Sequence, residues 1–231
     1  MFGILHKIKN TLKKTLINKD TKVEDTGEKV LVSSNLDKNV KYIRSVFERC
    51  SDVILREFKI PAKESISASL IYIDGMVDKT LTAANILRSL QFNPSIIQDK
   101  TINKSNAFNI VKDQLLSIGE VTTVSDMDTL VENVLSGQAA LLIDGTAKAI
   151  ISSVRKLEAR SIDEPQTEPL VRGPRDGFVE SLQTNATLIR RRIKSCRLKM
   201  EVLKIGTLTQ TDVAIFYIDG IVNDKLVREV K

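Results

Sequence analysis

Apolar positions along the chain change period several times, and each change marks an element. Val40, Ile43, Phe47 and Cys50 recur at three- and four-residue steps, which predicts a helix with one buried stripe. Leu182, Ala186, Ile189 and Ile193 repeat that spacing late in the chain. Each helix is followed by a strand-like run, Val53–Ile60 or Leu198–Ile205, then a polar turn. A second run, 70–73 or 213–218, stops at Asp-Gly and leads into a short helix. Between these units, 105–116 reads as helical and Val121–Val124 as extended. Ser125 is placed to N-cap a helix that runs to Leu135 and is closed by Gly137. Ala139–Ile143 and 149–154 then predict a hairpin around a further Asp-Gly.

The outer elements are copies of one another. IYIDGMVD, from Ile71, returns as FYIDGIVN from Phe216 at an offset of 145, and Tyr, Ile, Asp, Gly, Val and Leu coincide between 71–81 and 216–226. Upstream, an offset of 146 sets Asn39, Ile43, Arg44 and Cys50 on Asn185, Ile189, Arg190 and Cys196. The fold predicted is mixed α/β (α+β) in two lobes: two helix-strand-strand-helix units, 35–90 and 176–231, flank an inserted α/β subdomain at 91–165. The outer copies are expected to pack together and share one sheet, with the insertion forming the other.

Composition limits the chemistry. Hydrophobic residues make up 42% and aromatic ones 4%, with no Trp, so the core rests on Ile, Val and Leu. The formal charge of +6 is concentrated at the start, where Lys7, Lys9, Lys13, Lys14, Lys19 and Lys22 face only Asp20. Residues 1–27 read as a basic arm and linker: Phe2, Leu5, Ile8, Leu12 and Leu16 form an apolar stripe suited to the surface of an anionic membrane through residues 1–19, or simply a solvated end. Two cysteines without CxxC spacing predict neither a disulfide framework nor a metal site and suggest a reducing compartment. Neither a signal peptide nor a membrane span is readable in these 231 residues.

Two features are candidates for function. Asp74-Gly75, Asp144-Gly145 and Asp219-Gly220 end apolar strands, where a carboxylate could hold a ligand; the stronger reading is structural, with Asp accepting backbone N–H groups and Gly taking positive φ. The segment Arg172-Gly173-Pro174-Arg175-Asp176 aims two guanidiniums from a rigid turn, and Arg190, Arg191 and Arg192 cannot share one helical face. The functional reading is an anion- or partner-docking surface; the stronger reading is internal pairing with Asp and Glu of the insertion and linker. No aromatic residues interleave with the arginines as nucleic-acid stacking requires, so no nucleic acid is expected. His6 is the lone histidine, and Walker A, GxGxxG and HExxH are all lacking; no catalytic residue, metal or cofactor is predicted and the chain reads as a non-enzyme.

LVRGPRDGFVESLQTNATLIRRRI, taken with LIYIDGMVD and FYIDGIVNDKL, resembles the A subunit of the GerA-type nutrient receptors of bacterial spores, from about Asn35 onward. That resemblance implies the amino-terminal soluble domain of a membrane receptor acting in nutrient sensing or signal coupling during germination. It also implies B and C subunits as partners, a small nutrient as ligand, and a place on the core-facing side of the inner spore membrane. The alternatives are a stand-alone two-lobed module for small molecules and a peripheral anion- or nucleic-acid-binding protein.

Overall fold

The computed structural model describes residues 29–62, 64–92, 102–116, 120–155 and 177–231. The basic arm and the RGPRD turn at 172–176 lie outside the described residues. Helix α1 (Leu36–Val46) starts where Asn35 accepts a hydrogen bond from the Lys38 N–H, and it buries Leu36, Val40 and Ile43. The hairpin β1 (Val53–Ile60) and β2 (Ile66–Ile73) follows in a continuous eight-pair register. Helix α2 begins at Lys79–Thr82, capped by Asp78, and widens into a π-helical turn over Ala83–Arg88 before closing at Ser89–Gln91.

The insertion contributes α3 (Ala107–Ile110, continuing as a π turn over Val111–Leu115), β3 (Val121–Val124), α4 (Met127–Leu135), β4 (Ala139–Ile143) and β5 (Ala149–Ser152). Asp126 rather than Ser125 caps α4, because its carboxylate reaches the Thr129 N–H. Gly137 closes the helix at φ 86°. β4 and β5 pair antiparallel around Asp144-Gly145, as their spacing predicts.

Sheet membership departs from the sequence expectation. β1 and β2 do not pair with the second copy; they join the insertion in one antiparallel sheet ordered β1-β2-β4-β5-β3. The reason is apolar matching: β4 reads AALLI and is buried throughout, so it needs a neighbour buried on both faces, and β2 supplies one. One face of this sheet packs Ile71, Ile73, Leu142 and Ile151 against α1 and α4, and the other packs Leu70, Leu141 and Ile150 against Ile86, Leu90 and Ile110.

The second unit repeats the first element for element. α5 (Leu182–Arg192), β6 (Leu198–Ile205), β7 (Thr211–Ile218) and α6 (Asp224–Val230) match α1, β1, β2 and α2 in order, but β6 and β7 form a two-stranded sheet of their own. Fine structure repeats as well. Asn39 closes a two-bond clamp on the backbone of Ser33, and Asn185 closes the same clamp on Val179.

At the strand ends Gly75 has φ 85° and Gly220 φ 76°. Their surroundings differ: a Cβ on Gly75 would lie 2.4 Å from Thr187 Oγ1 of α5, whereas one on Gly220 would meet only the movable end of Arg197. Gly75→Ala should therefore cost about 2–3 kcal/mol, from φ strain and from prying α5 away, and Gly220→Ala about 1 kcal/mol. Urea denaturation of the two variants checks the order.

Candidate coupling site between the two units

The side chains that join the units come from the ends of repeated elements. Arg190 lies in the last turn of α5, where the helix carries it inward against the first unit, and Asp52 precedes β1. Arg190 Nε donates to Asp52 Oδ2 at 2.6 Å and its Nη2 donates to Oδ1 at 2.9 Å, so the fork and the carboxylate meet in a bidentate pair. Arg190 Nη1 donates to the carbonyls of Leu198 (2.8 Å) and Ser195 (3.3 Å). Arg190 is 1% exposed and Asp52 6%. Burial works against the guanidinium's charge, but the hydrogen bonds and charge of Asp52 outweigh it and the Arg190 pKa rises. Burial likewise pushes the neighbouring Cys50 thiol up, with Arg190 pulling the other way.

Backbone contacts flank the pair. Ser51 N–H donates to the Met200 carbonyl and Met200 N–H to that of Arg49, a short parallel bridge between the units. Lys199, 5% exposed, donates from Nζ to the Val46 carbonyl at the end of α1.

A polar cleft opens beside this seam. Arg49, held at φ 59°, pairs with Asp219 at 3.2 Å and sits 5.9 Å from the centroid of the Tyr217 ring. The Tyr217 hydroxyl donates to Glu201, which also pairs with Lys231. Lys231 and Tyr217 hold the Glu201 carboxyl below its ordinary range, while burial and Glu201 push Tyr217 up to about 12. The cleft, about 380 Å³, is lined by Arg49, Tyr217, Asp219, Asp224, Arg228 and Lys231 with charges of both signs.

The sequence-derived residues thus separate. Arg190 faces inward and is saturated by Asp52 and two carbonyls, so it is a joint within the chain rather than an outward docking group; the helix turn that places it over Asp52 decides this. Arg191 and Arg192 are exposed at the end of α5. Asp74 accepts from the Gly75 N–H and pairs with Lys79. Asp144 accepts from the Leu36 N–H and from Lys104, which holds its carboxyl below the usual range. Asp219 pairs with Arg49. Among the described residues no cluster of His, Cys, Asp and Glu could hold a metal. Residue-by-residue reading missed Asp52, Arg49, Glu201 and Tyr217. The repeat carried a signal for Asp52, because the strand offset sets it against Arg197 and so inverts a charge at one equivalent position.

These units belong to a recognised class of domain. Residues 41–231 match the family described as Bacillus/Clostridium GerA spore germination protein, and the chain belongs to that family. Spore germination protein KA of Bacillus subtilis is 39% identical over 202 residues, 87% of this chain and 36% of that protein. Stage V sporulation protein AF of the same organism is 34% identical over 88% of this chain and 40% of its own length, and spore germination protein GerLA of Bacillus cereus is 29% identical over the same shares. The chain thus spans well under half the length of these relatives. The crystal structure of the N-terminal domain of the A subunit of the Bacillus megaterium spore germinant receptor GerK3 matches with a TM-score of 0.69 and 28% identity, covering 88% of this chain and 72% of that one. Among the described residues no helix is long and apolar enough to cross a membrane.

Two outcomes test the seam. Removing one partner of a buried pair strands the other, so Arg190→Ala should cost about 3–5 kcal/mol. Its repeat equivalent, Arg44, bonds Glu57 on the surface, and Arg44→Ala should change stability by less than about 0.5 kcal/mol in the same chemical denaturation. In the cleft, the raised Tyr217 pKa favours the neutral phenol in the folded chain. Its contribution is full below the ordinary tyrosine range and is lost as pH climbs toward about 12. An alkaline titration followed by phenolate absorbance should lose its latest step in Tyr217→Phe.

Proposed function

We propose that this chain acts as the amino-terminal domain of a germinant-receptor A subunit and that its task is signal coupling. The family match over 41–231, joined to the likeness to the GerK3 A-subunit domain, carries the reading. What favours coupling is the kind of joint between the units. A bidentate ion pair with both charges buried is bistable: seated it is satisfied, and withdrawn it leaves two charges that must find water. Small relative movements of the units would be converted into made or broken contacts at Asp52.

In the intact protein, B and C subunits are the partners and the inner spore membrane is the site, with residues 1–19 lying on its anionic surface. Arg172, Gly173, Pro174, Arg175 and Asp176, with Arg191 and Arg192, form the docking surface toward those partners. A second reading, direct binding of a small nutrient, is favoured by the cleft at Arg49 and Asp219, whose opposed charges suit a zwitterion.

The test is a charge exchange in the full-length protein in spores. Asp52→Arg and Arg190→Asp should each abolish the nutrient response measured per receptor present, and the double variant should restore part of it. A normal response in both single variants would refute coupling through this joint. Arg172→Glu with Arg175→Glu should lower the response or the amount of assembled receptor. Amino acids titrated into the isolated chain at millimolar concentration should shift NMR signals of Arg49 and Tyr217 only if the second reading holds.

A further inference from the structure

The joint between the units runs head to tail. The first unit contributes the turn 46–52, and the second contributes Arg190 and the start of β6: Met200 N–H donates to the Arg49 carbonyl, Ser51 N–H to that of Met200, Lys199 to Val46 and Arg190 to Asp52. Turn and receiving face are different surfaces, so the repeat gives each unit one of both.

The counterparts can be located residue by residue. The offset of 146 sets Arg44 on Arg190, and that of 145 sets Val53, Ile54 and Leu55 on Leu198, Lys199 and Met200. Register agrees, since Leu55 stands opposite Ile71 as Met200 stands opposite Phe216. In the turn, Leu198 N–H donates to the Ser195 carbonyl as Val53 N–H does to that of Cys50, and Asp219 N–H donates to Arg197 as Asp74 N–H does to Asp52. Ser195, Cys196 and Arg197 thus stand where Cys50, Ser51 and Asp52 stand.

The first unit's receiving face is a groove. Ile43, Arg44, Phe47, Val53 and Leu55 line a cavity of about 230 Å³ beside β1, an outer strand of the large sheet. Under the first unit's turn, Leu198 is 2% exposed and Lys199 and Met200 5% each, whereas Val53, Ile54 and Leu55 are only half-buried. The second unit's turn exposes Ile193, Lys194 and Arg197. Charge has moved in step between the copies. The turn exchanges Asp52 for Arg197, and the face exchanges Val202 for Glu57, which Arg44 holds at the rim at 2.7 Å.

We propose that this groove receives the turn 193–197 of a second copy of this chain, head to tail, as the second unit receives the turn of the first. A second copy is the occupant because the turn that fits the equivalent face is the one this chain repeats, with its charge reversed to match Glu57. In the joint, Leu55 takes the place of Met200 between Lys194 and Cys196 of the neighbouring copy, and Arg197 of that copy meets Glu57. Because turn and face differ, each copy contacts two others and association does not stop at a pair.

Cross-linking of the full-length protein in its membrane measures this. Neighbouring strands lie about 4.8 Å apart, within disulfide reach. In a Cys196→Ser background, Leu55→Cys with Ser195→Cys should give a ladder of dimers, trimers and longer species on mild oxidation, and either cysteine alone should give nothing beyond a dimer. Glu57→Arg should cut the cross-linked fraction about fivefold, and adding Arg197→Glu should recover it. If Leu55→Cys impairs folding, Glu57→Cys with Arg197→Cys, both at exposed positions, decides the matter with a short bis-maleimide reagent. The absence of any band above the monomer overturns the proposal. So does a pattern that ends at the dimer, which marks a two-fold contact, or a ladder indifferent to Glu57→Arg. A ladder that forms only after residues 1–19 are removed gives the groove to that arm and overturns it as well.

Discussion

The bidentate contact of Arg190 with Asp52 is the constraint to which the relation between the two units answers. It joins the last turn of one unit's helix to the entrance of the other unit's first strand, and it is buried on both sides. A pair in that position contributes less to net stability than to uniqueness, because any other seating of α5 would leave a guanidinium and a carboxylate without partners in a dry place. The Leu198 carbonyl ties the same guanidinium to the start of β6, so helix, hairpin and first unit are fixed by one side chain. Gly75 admits Thr187 on one side of this joint and the Cys50–Met200 bridge continues it on the other.

Duplication explains why the joint exists and why it does not recur. Arg44 stands where Arg190 stands in the other copy, but it lies on the surface with Glu57, and the place of Asp52 is taken by Arg197. The same fold element therefore carries its arginine inward in one copy and outward in the other. The inserted strands add a second asymmetry. They surround β2 with apolar neighbours, so Ile71 and Ile73 have no exposure and Met76 has 5%, whereas Ile221, the counterpart of Met76, is 76% exposed.

Much of this was legible in the chain itself. β1 and β6 begin and end where apolar alternation places them, and the paired offsets of 146 and 145 reappear as equal helix bounds and strand bounds in the two copies. The sheet partners were not legible, because alternation within β2 and β4 says that both are buried without saying by what; that is settled by the matching of AALLI to a strand equally apolar on both faces. The cap of α4 moved by one residue because Ser125 and Asp126 both carry an acceptor and only the second reaches the Thr129 N–H. The functional part was the least visible. Three consecutive arginines cannot share a helical face, but only the register of α5 shows that it is the first of them that turns into the interior.

Among the described residues the hairpin of β6 and β7 is backed by α5 and meets the first unit at the Cys50–Met200 bridge and the Arg190–Asp52 pair. Unseating the one side chain of Arg190 therefore releases helix, hairpin and first unit from one another together.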